Sequence, residues 1–163
     1  MRQSVGATTT FKAALIFTLI FAGFLSLAIT YNRAFKLKNE SLDIIEKYEG
    51  ISNKGAYRKA VNIINNYLDL SGYRSKGYCD TKKHEYGVTD LKNGTLEKAE
   101  ENVLYYYCIS SKGKTDSPDG KQIYYNFKLF FKFNLPVFGE LMNFKVSGKT
   151  KGIRLYSPDQ LLQ

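Results

Sequence analysis

The 163 residues suffice for one domain of ordinary size, which excludes a multi-domain enzyme, and an apolar content of 44% excludes a disordered chain. Basic residues outnumber acidic ones 24 to 15, giving a formal charge of +9; two cysteines, one histidine and no tryptophan exclude a zinc-cluster protein and a disulfide-dense mini-protein. Thirteen tyrosines and 11 phenylalanines supply most of the large side chains, as strand-rich structure favours.

From Ala13 to Tyr31 the chain reads AALIFTLIFAGFLSLAITY, without a charge. As a helix this run spans about 28 Å, close to the hydrocarbon thickness of a bilayer. Lys12 closes it on one side; Tyr31 and Arg33 close the other, an aromatic and a cation suited to the headgroup layer. The run is read as a retained transmembrane anchor. The competing reading is a cleaved signal peptide, with Arg2 and Lys12 as its basic region and Ser26-Leu27-Ala28 as a small-x-small site. Retention is favoured because the run is longer than such peptides use and flows into a charged helical pattern. Basic residues are nearly balanced across it, with Arg2 and Lys12 before and Arg33, Lys36, Lys38 and Lys47 after. The leader-like tail and the two later cysteines decide the orientation: residues 1–12 a cytoplasmic tail, 13–31 the membrane segment, 32–163 an extracytoplasmic domain.

Beyond Tyr31, Phe35, Leu42, Ile45 and Tyr48 fall at helical spacing, flanked by Leu37 and Ile44, so the membrane helix continues as an amphipathic stalk to about Glu49. Gly50 is its natural stop and ISNKG (51–55) a turn. A second helix fits 56–70, with Tyr57, Val61, Ile64 and Leu68 on one face, ended by Ser71-Gly72. Weak strands are expected at Tyr73–Cys79 and Tyr86–Thr89, with a turn at Asn93-Gly94. Val103–Ser110 is rich in strand formers. The segment Gln122–Leu135 alternates Ile123, Tyr125, Phe127, Leu129, Phe131, Phe133 and Leu135 with more polar neighbours, the period of a strand with one buried face. That register sends Lys128 to the solvent side. Between the two strands SKGKTDSPDGK reads as a long hairpin loop. Pro136 ends the strand, Val137–Met142 suits one helical turn, and Asn143–Ile153 supplies a final edge strand guarded by lysines. The fold class is α+β: a long N-terminal transmembrane-plus-stalk helix, a second helix, then an antiparallel sheet that the helices cover.

Cys79 and Cys108 form the one cysteine pair; in an exterior domain a structural disulfide is expected, and one histidine without CxxC spacing argues against a metal site. His84, in Lys82-Lys83-His84-Glu85, has no accompanying GxSxG, HExxH or phosphate-loop motif and reads as an exposed loop residue. Glu97, Glu100 and Glu101 read as a solvated helix face, since the alternating Asp/Asn loop of a calcium site is missing. The sequons at Asn39 and Asn93 matter only in a glycosylating source. From Lys121 to Arg154 seven cations (Lys121, Lys128, Lys132, Lys145, Lys149, Lys151 and Arg154) stand against one acid, Glu140. Edge protection and solubility explain such a set; a basic face interleaved with tyrosine and phenylalanine also suits a polyanion such as nucleic acid, wall polymer or anionic lipid.

The basic leader, the apolar helix running past the membrane, and a C-terminal sheet ending FKFNLPVFGELMNFKVSGKTKGI together resemble pilin-like and pseudopilin-like proteins, in particular the TadE-like minor pilins of bacterial secretion and pilus systems. The resemblance lies in layout. It implies a membrane-anchored, non-enzymatic component of a bacterial envelope assembly, with lipid and partner proteins around it, and neither cofactor nor small-molecule substrate. The leader Gly6-Ala7-Thr8-Thr9-Thr10-Phe11 lacks the glutamate that follows the processing glycine in that family, which implies a retained accessory protein over a major filament subunit. Ala22-Gly23 permits close approach of a partner transmembrane helix.

Overall fold

A computed structural model describes residues 2–48, 54–117, 120–135 and 139–154. Its first element, α1 (Arg2–Lys47), is one continuous helix of 46 residues that joins the apolar run to the amphipathic stretch. No proline interrupts it, and the hydroxyls of Thr18 and Thr30 donate to the carbonyls of Ala14 and Ser26 at 2.8 Å, so both are satisfied within the helix. In its second half Ala34, Leu37, Lys38, Ser41, Leu42 and Ile45 are buried, recurring every three or four residues. Phe35, expected on that face, lies 43% exposed, because the buried stripe passes through Ala34 and Leu37 and leaves it to one side. The second helix, α2 (Lys54–Leu70), buries Ala60, Val61, Ile64, Asn65 and Leu68 and stops where Gly72 takes a φ of +67°. The expected stop at Gly50 lies outside the described residues, as does most of the turn before α2.

Among the described residues eight strands follow: β1 (Gly77–Tyr78), β2 (Tyr86–Val88), β3 (Glu97–Lys98), β4 (Leu104–Tyr105), β5 (Tyr107–Ser117), β6 (Gly120–Leu135), β7 (Gly139–Lys149) and β8 (Ile153–Arg154). The main sheet is antiparallel in the order β3-β2-β5-β6-β7, with β8 also paired to β6; β1 and β4 form a separate ribbon. The architecture is α+β.

Strands prevail in three places where the sequence suggested otherwise. β5 and β6 run well into the expected loop, pairing Lys112 with Tyr124 and Ser117 with Gly120, and a bulge between Lys112 and Lys114 absorbs the extra residue. Backbone pairing needs no apolar side chains, so a polar stretch extends a ladder already begun. Gly139–Met142, expected as a helical turn, belongs to β7, because β6 offers Phe133–Leu135 as a partner edge; Pro136 and Val137 lie outside the described residues. Glu97 belongs to β3, not to a helix, and Glu100 and Glu101 lie exposed beyond it. The expected final strand is interrupted at Thr150. Its hydroxyl accepts from the Tyr125 N–H at 3.0 Å and its N–H donates to the Tyr125 carbonyl at 2.9 Å, after which the chain resumes as β8.

Both faces of β6 are covered along its middle. On the helix side Tyr125, Phe127 and Leu129 join Tyr107, Ile109 and Ile153 against Leu37, Leu42 and Ile45 of α1 and Val61, Ile64 and Leu68 of α2. The alternation expected for Gln122–Leu135 therefore holds in register. On the opposite side a smaller cluster of Cys79, Ala99, Tyr105, Cys108 and Phe130 sits beneath the excursion from Tyr73 to Tyr106. Close approach here requires glycine: a Cβ at Gly77 would stand 2.3 Å from the Phe130 ring, and one at Gly87 equally close to the Tyr105 ring. Two polar links tie the layers together. The Tyr107 hydroxyl, its pKa raised by burial, donates to Asn65 at 2.8 Å, and Asn65 donates to the Gly94 carbonyl at 2.8 Å. The Tyr73 hydroxyl, likewise raised, accepts from the Phe130 N–H at 2.9 Å and donates back to the Phe130 carbonyl.

Candidate functional site

The first half of α1 stands apart from this core. Phe17, Phe21, Phe24 and Ile29 are 56–70% exposed, and Leu15, Ile16, Leu19, Ile20 and Leu25 about half exposed. Among the described residues this is the one helix long and apolar enough to cross a membrane. An uncharged surface of that length has no stabilising partner in water, so the helix is a candidate membrane anchor. Immediately past it the Arg33 guanidinium donates to the Ser71 carbonyl at the end of α2, fixing the anchor's exit against the domain.

The outer face of the sheet carries a largely buried ion pair. Lys128 and Cys108 are partners across β5 and β6, and Gly87 of β2 pairs with Cys108. This places Lys128 within reach of Glu85, at the start of β2. The Lys128 ammonium donates to both Glu85 oxygens at 2.7 Å, and Glu85 also accepts from the Asp80 N–H at 2.8 Å. The side chains are 17% and 5% exposed. Lys128 was expected to face solvent; the register is right, but the Tyr73–Tyr106 excursion roofs that face, and the Glu85 carboxylate meets the ammonium beneath it. Nothing near either residue in sequence signals the pairing, since 43 residues separate them.

Cys79 and Cys108 are joined by a disulfide, as expected, with Cα atoms 5.7 Å apart. Their sulfurs and a Glu85 oxygen lie within 4.8 Å of one another, yet no metal-ligand set results: the sulfurs are bonded to each other and Glu85 is held by Lys128. At the rim, the Lys83 ammonium 2.9 Å from Asp80 hydrogen-bonds the carboxylate and holds its pKa below the usual range.

Of the seven expected polyanion residues, the five with described side chains differ in their surroundings. Lys128 is withdrawn into its ion pair. Lys151 is exposed, but its N–H donates to Glu46 at 2.7 Å and its ammonium lies 3.9 Å from the same carboxylate. Lys121 and Arg154 lie on β6 and β8, with side chains outside the described part. Lys132, Lys145 and Lys149 remain exposed on the face turned away from the helices, with Lys149 3.9 Å over the Tyr124 ring. His84 is exposed at the end of a 3-10 turn, in left-handed backbone with a φ of 50°. A groove between α2 and Leu91–Asn93 is lined by the amides of Asn62, Asn65 and Asn66 and by the Asp69 carboxylate, which Arg74 meets at 2.8 Å.

No protein-family model matches the chain, and no solved structure matches it. A stretch of 84 residues, 52% of this chain, is 34% identical to a Dictyostelium discoideum protein named "Histidine protein methyltransferase 1 homolog". That stretch is 25% of the relative, so the chain spans about a quarter of the length of the curated relative it matches. The expectation of a non-enzymatic protein is thereby corrected: what this chain partly resembles carries the name of an enzyme.

Proposed function

We propose that the chain is a membrane-anchored component of an envelope assembly of pilus or secretion type, the reading its pilin-like layout implies. Residues 13–31 cross the bilayer, residues 1–12 remain cytoplasmic, and the domain from residue 32 onward stands outside. The observation that supports this reading is the division of one unbroken helix. Its first half exposes an uncharged surface while its second half supplies Leu37, Leu42 and Ile45 to the domain's core. A domain built on its own anchor cannot swing freely from it, which suits a part positioned against membrane-embedded partners.

The test is protease digestion of intact cells, followed by crosslinking and purification from the membrane. The domain is degraded and the first dozen residues are protected, and one defined set of membrane proteins co-purifies. A protected domain reverses the orientation, and recovery without partners removes the assembly reading. The exposed Lys132, Lys145 and Lys149 support a second reading, capture of a polyanion; salt-sensitive retention on nucleic acid or anionic polymer is its signature. Transfer of labelled methyl groups to histidine, assayed in the same preparation, tests the activity that the relative's name raises.

A further inference from the structure

Two ties between α1 and β6 set their relative level. At one end Lys151, beside the Thr150–Tyr125 contact, donates its N–H to Glu46. At the other, Arg33 donates to Ser71, and Tyr73 bonds the backbone of Phe130. From Glu46 to Arg33 is about 20 Å along a helix, and from Tyr125 to Phe130 is about 17 Å along a strand. The two elements therefore run side by side, β6 descending toward the anchor as its numbers rise. Gly148 of β7, whose added Cβ would stand 2.6 Å from Leu42, lies between these ties and agrees with them.

β6 does not stop at Phe130. It continues through Leu135, paired with β7 from Gly139, so the described ends of this hairpin extend about 17 Å past the level of Arg33. Tyr31, the boundary of the apolar run, lies only about 3 Å past that level. The strand residues carried beyond it include Phe133, Leu135, Leu141 and Met142, with Glu140 as their single acid. Lys145, opposite Phe130, stands about 3 Å above the boundary level and Lys132 about 4 Å past it, both exposed. The helix shows the same continuation. Gly23, Ser26, Leu27 and Thr30 are half-buried, extending the stripe of Ala34, Leu37 and Ser41 into the anchor, while Phe24, Leu25, Ile29 and Tyr31 on its other sides are 49–68% exposed. Apolar residues below a boundary and cations at it match the acyl and headgroup layers of a bilayer.

We propose that the lower end of the β6–β7 hairpin enters the same bilayer leaflet as α1, with Lys132 and Lys145 at its phosphates. This rests on the reading of α1 as a membrane anchor. The domain is then held to the membrane at two places, which fixes its tilt as well as its distance.

The chain has no tryptophan, so single tryptophans report cleanly. The full chain is reconstituted in phosphatidylcholine–phosphatidylglycerol vesicles whose acyl chains are brominated near the headgroup, which quench nearby indoles. Phe24→Trp reports the anchor, Phe133→Trp the hairpin, and Lys47→Trp the far end of α1. Phe133→Trp is expected to be quenched comparably to Phe24→Trp, and Lys47→Trp to keep its intensity. Leu141→Trp repeats the measurement on β7, and protease resistance of the domain shows that each variant is folded. Quenching of Phe24→Trp with Phe133→Trp and Leu141→Trp as bright as Lys47→Trp overturns the hairpin proposal and leaves the anchor standing. An unquenched Phe24→Trp removes both.

Discussion

Lys128→Ala should be among the most damaging single substitutions in the domain outside its apolar core. Glu85 is 4% exposed as a residue, and the substitution leaves its carboxylate with only the Asp80 N–H. Removing one partner of a buried ion pair costs about 3–5 kcal/mol, because the remaining charge stays desolvated and uncompensated. That is comparable to Phe127→Ala in the core and a large share of the roughly 5–15 kcal/mol typical of a domain. Lys145→Ala, on the same face of the sheet but exposed, should change stability by less than about 0.5 kcal/mol. The decisive variant is the double one: Lys128→Met with Glu85→Leu removes both charges and should recover most of the loss. Urea unfolding of the full chain in micelles, followed by the near-ultraviolet signal of its tyrosines, measures all four variants at a common slope. If Lys128→Ala matches Lys145→Ala, the pair is solvated and the roof over that face is not closed. If the double variant is as unstable as the single one, the loss comes from packing of the lysine stem and not from an orphaned carboxylate.

Alkylation without reductant should label neither Cys79 nor Cys108, native or unfolded, and stoichiometric labelling of both after unfolding would contradict the disulfide. Reducing it should lower stability by about 3–4 kcal/mol, the loop entropy of a closure of this length. Lys38 is buried with its ammonium 3.9 Å from the Phe35 ring centroid, and burial lowers its pKa from 10.5. The unfolded chain thus holds the extra proton between the lowered native value and 10.5, so stability should climb as pH rises through that window. Lys38→Met should stabilise the protein at neutral pH and abolish the alkaline climb; a destabilised Lys38→Met would show that the charge is favourable where it sits.

Where period carries the information, the fold was legible. The seven-fold alternation in Gln122–Leu135 placed Tyr125, Phe127 and Leu129 on the buried side, and the spacing of Val61, Ile64 and Leu68 placed α2 correctly. The uncharged run was legible as one helix for the same reason. What failed was local composition read as local structure. SKGKTDS looks like a loop and Gly139–Met142 like a turn, but each lies beside a strand with an open ladder, and tertiary pairing overrides weak propensity. Phe35 failed differently. Leu37 and Leu42 define a stripe that excludes it, and this aromatic just past the apolar run lies exposed with its ring 6.4 Å from that of Tyr31.

The candidate site was legible by residue type and not by arrangement. Counting cations from Lys121 to Arg154 treats them alike, yet what each does depends on what covers its face. A strand's period says which residues share a face and is silent on whether that face is open. On β6 the helix side is roofed by α1 and α2, and the other side is roofed only as far as the Tyr73–Tyr106 excursion reaches. Lys128 lies under that roof and needs Glu85; Lys132, four residues nearer the anchor, lies exposed beyond it. The change from a buried to an exposed lysine along one strand face therefore marks the edge of the domain. Past that edge the alternation of Phe131, Phe133 and Leu135 continues with no described roof above its polar side. An apolar period maintained past that edge suits the candidate membrane anchor beside it, whose stripe through Thr30, Leu27 and Gly23 stays half-buried below the roof.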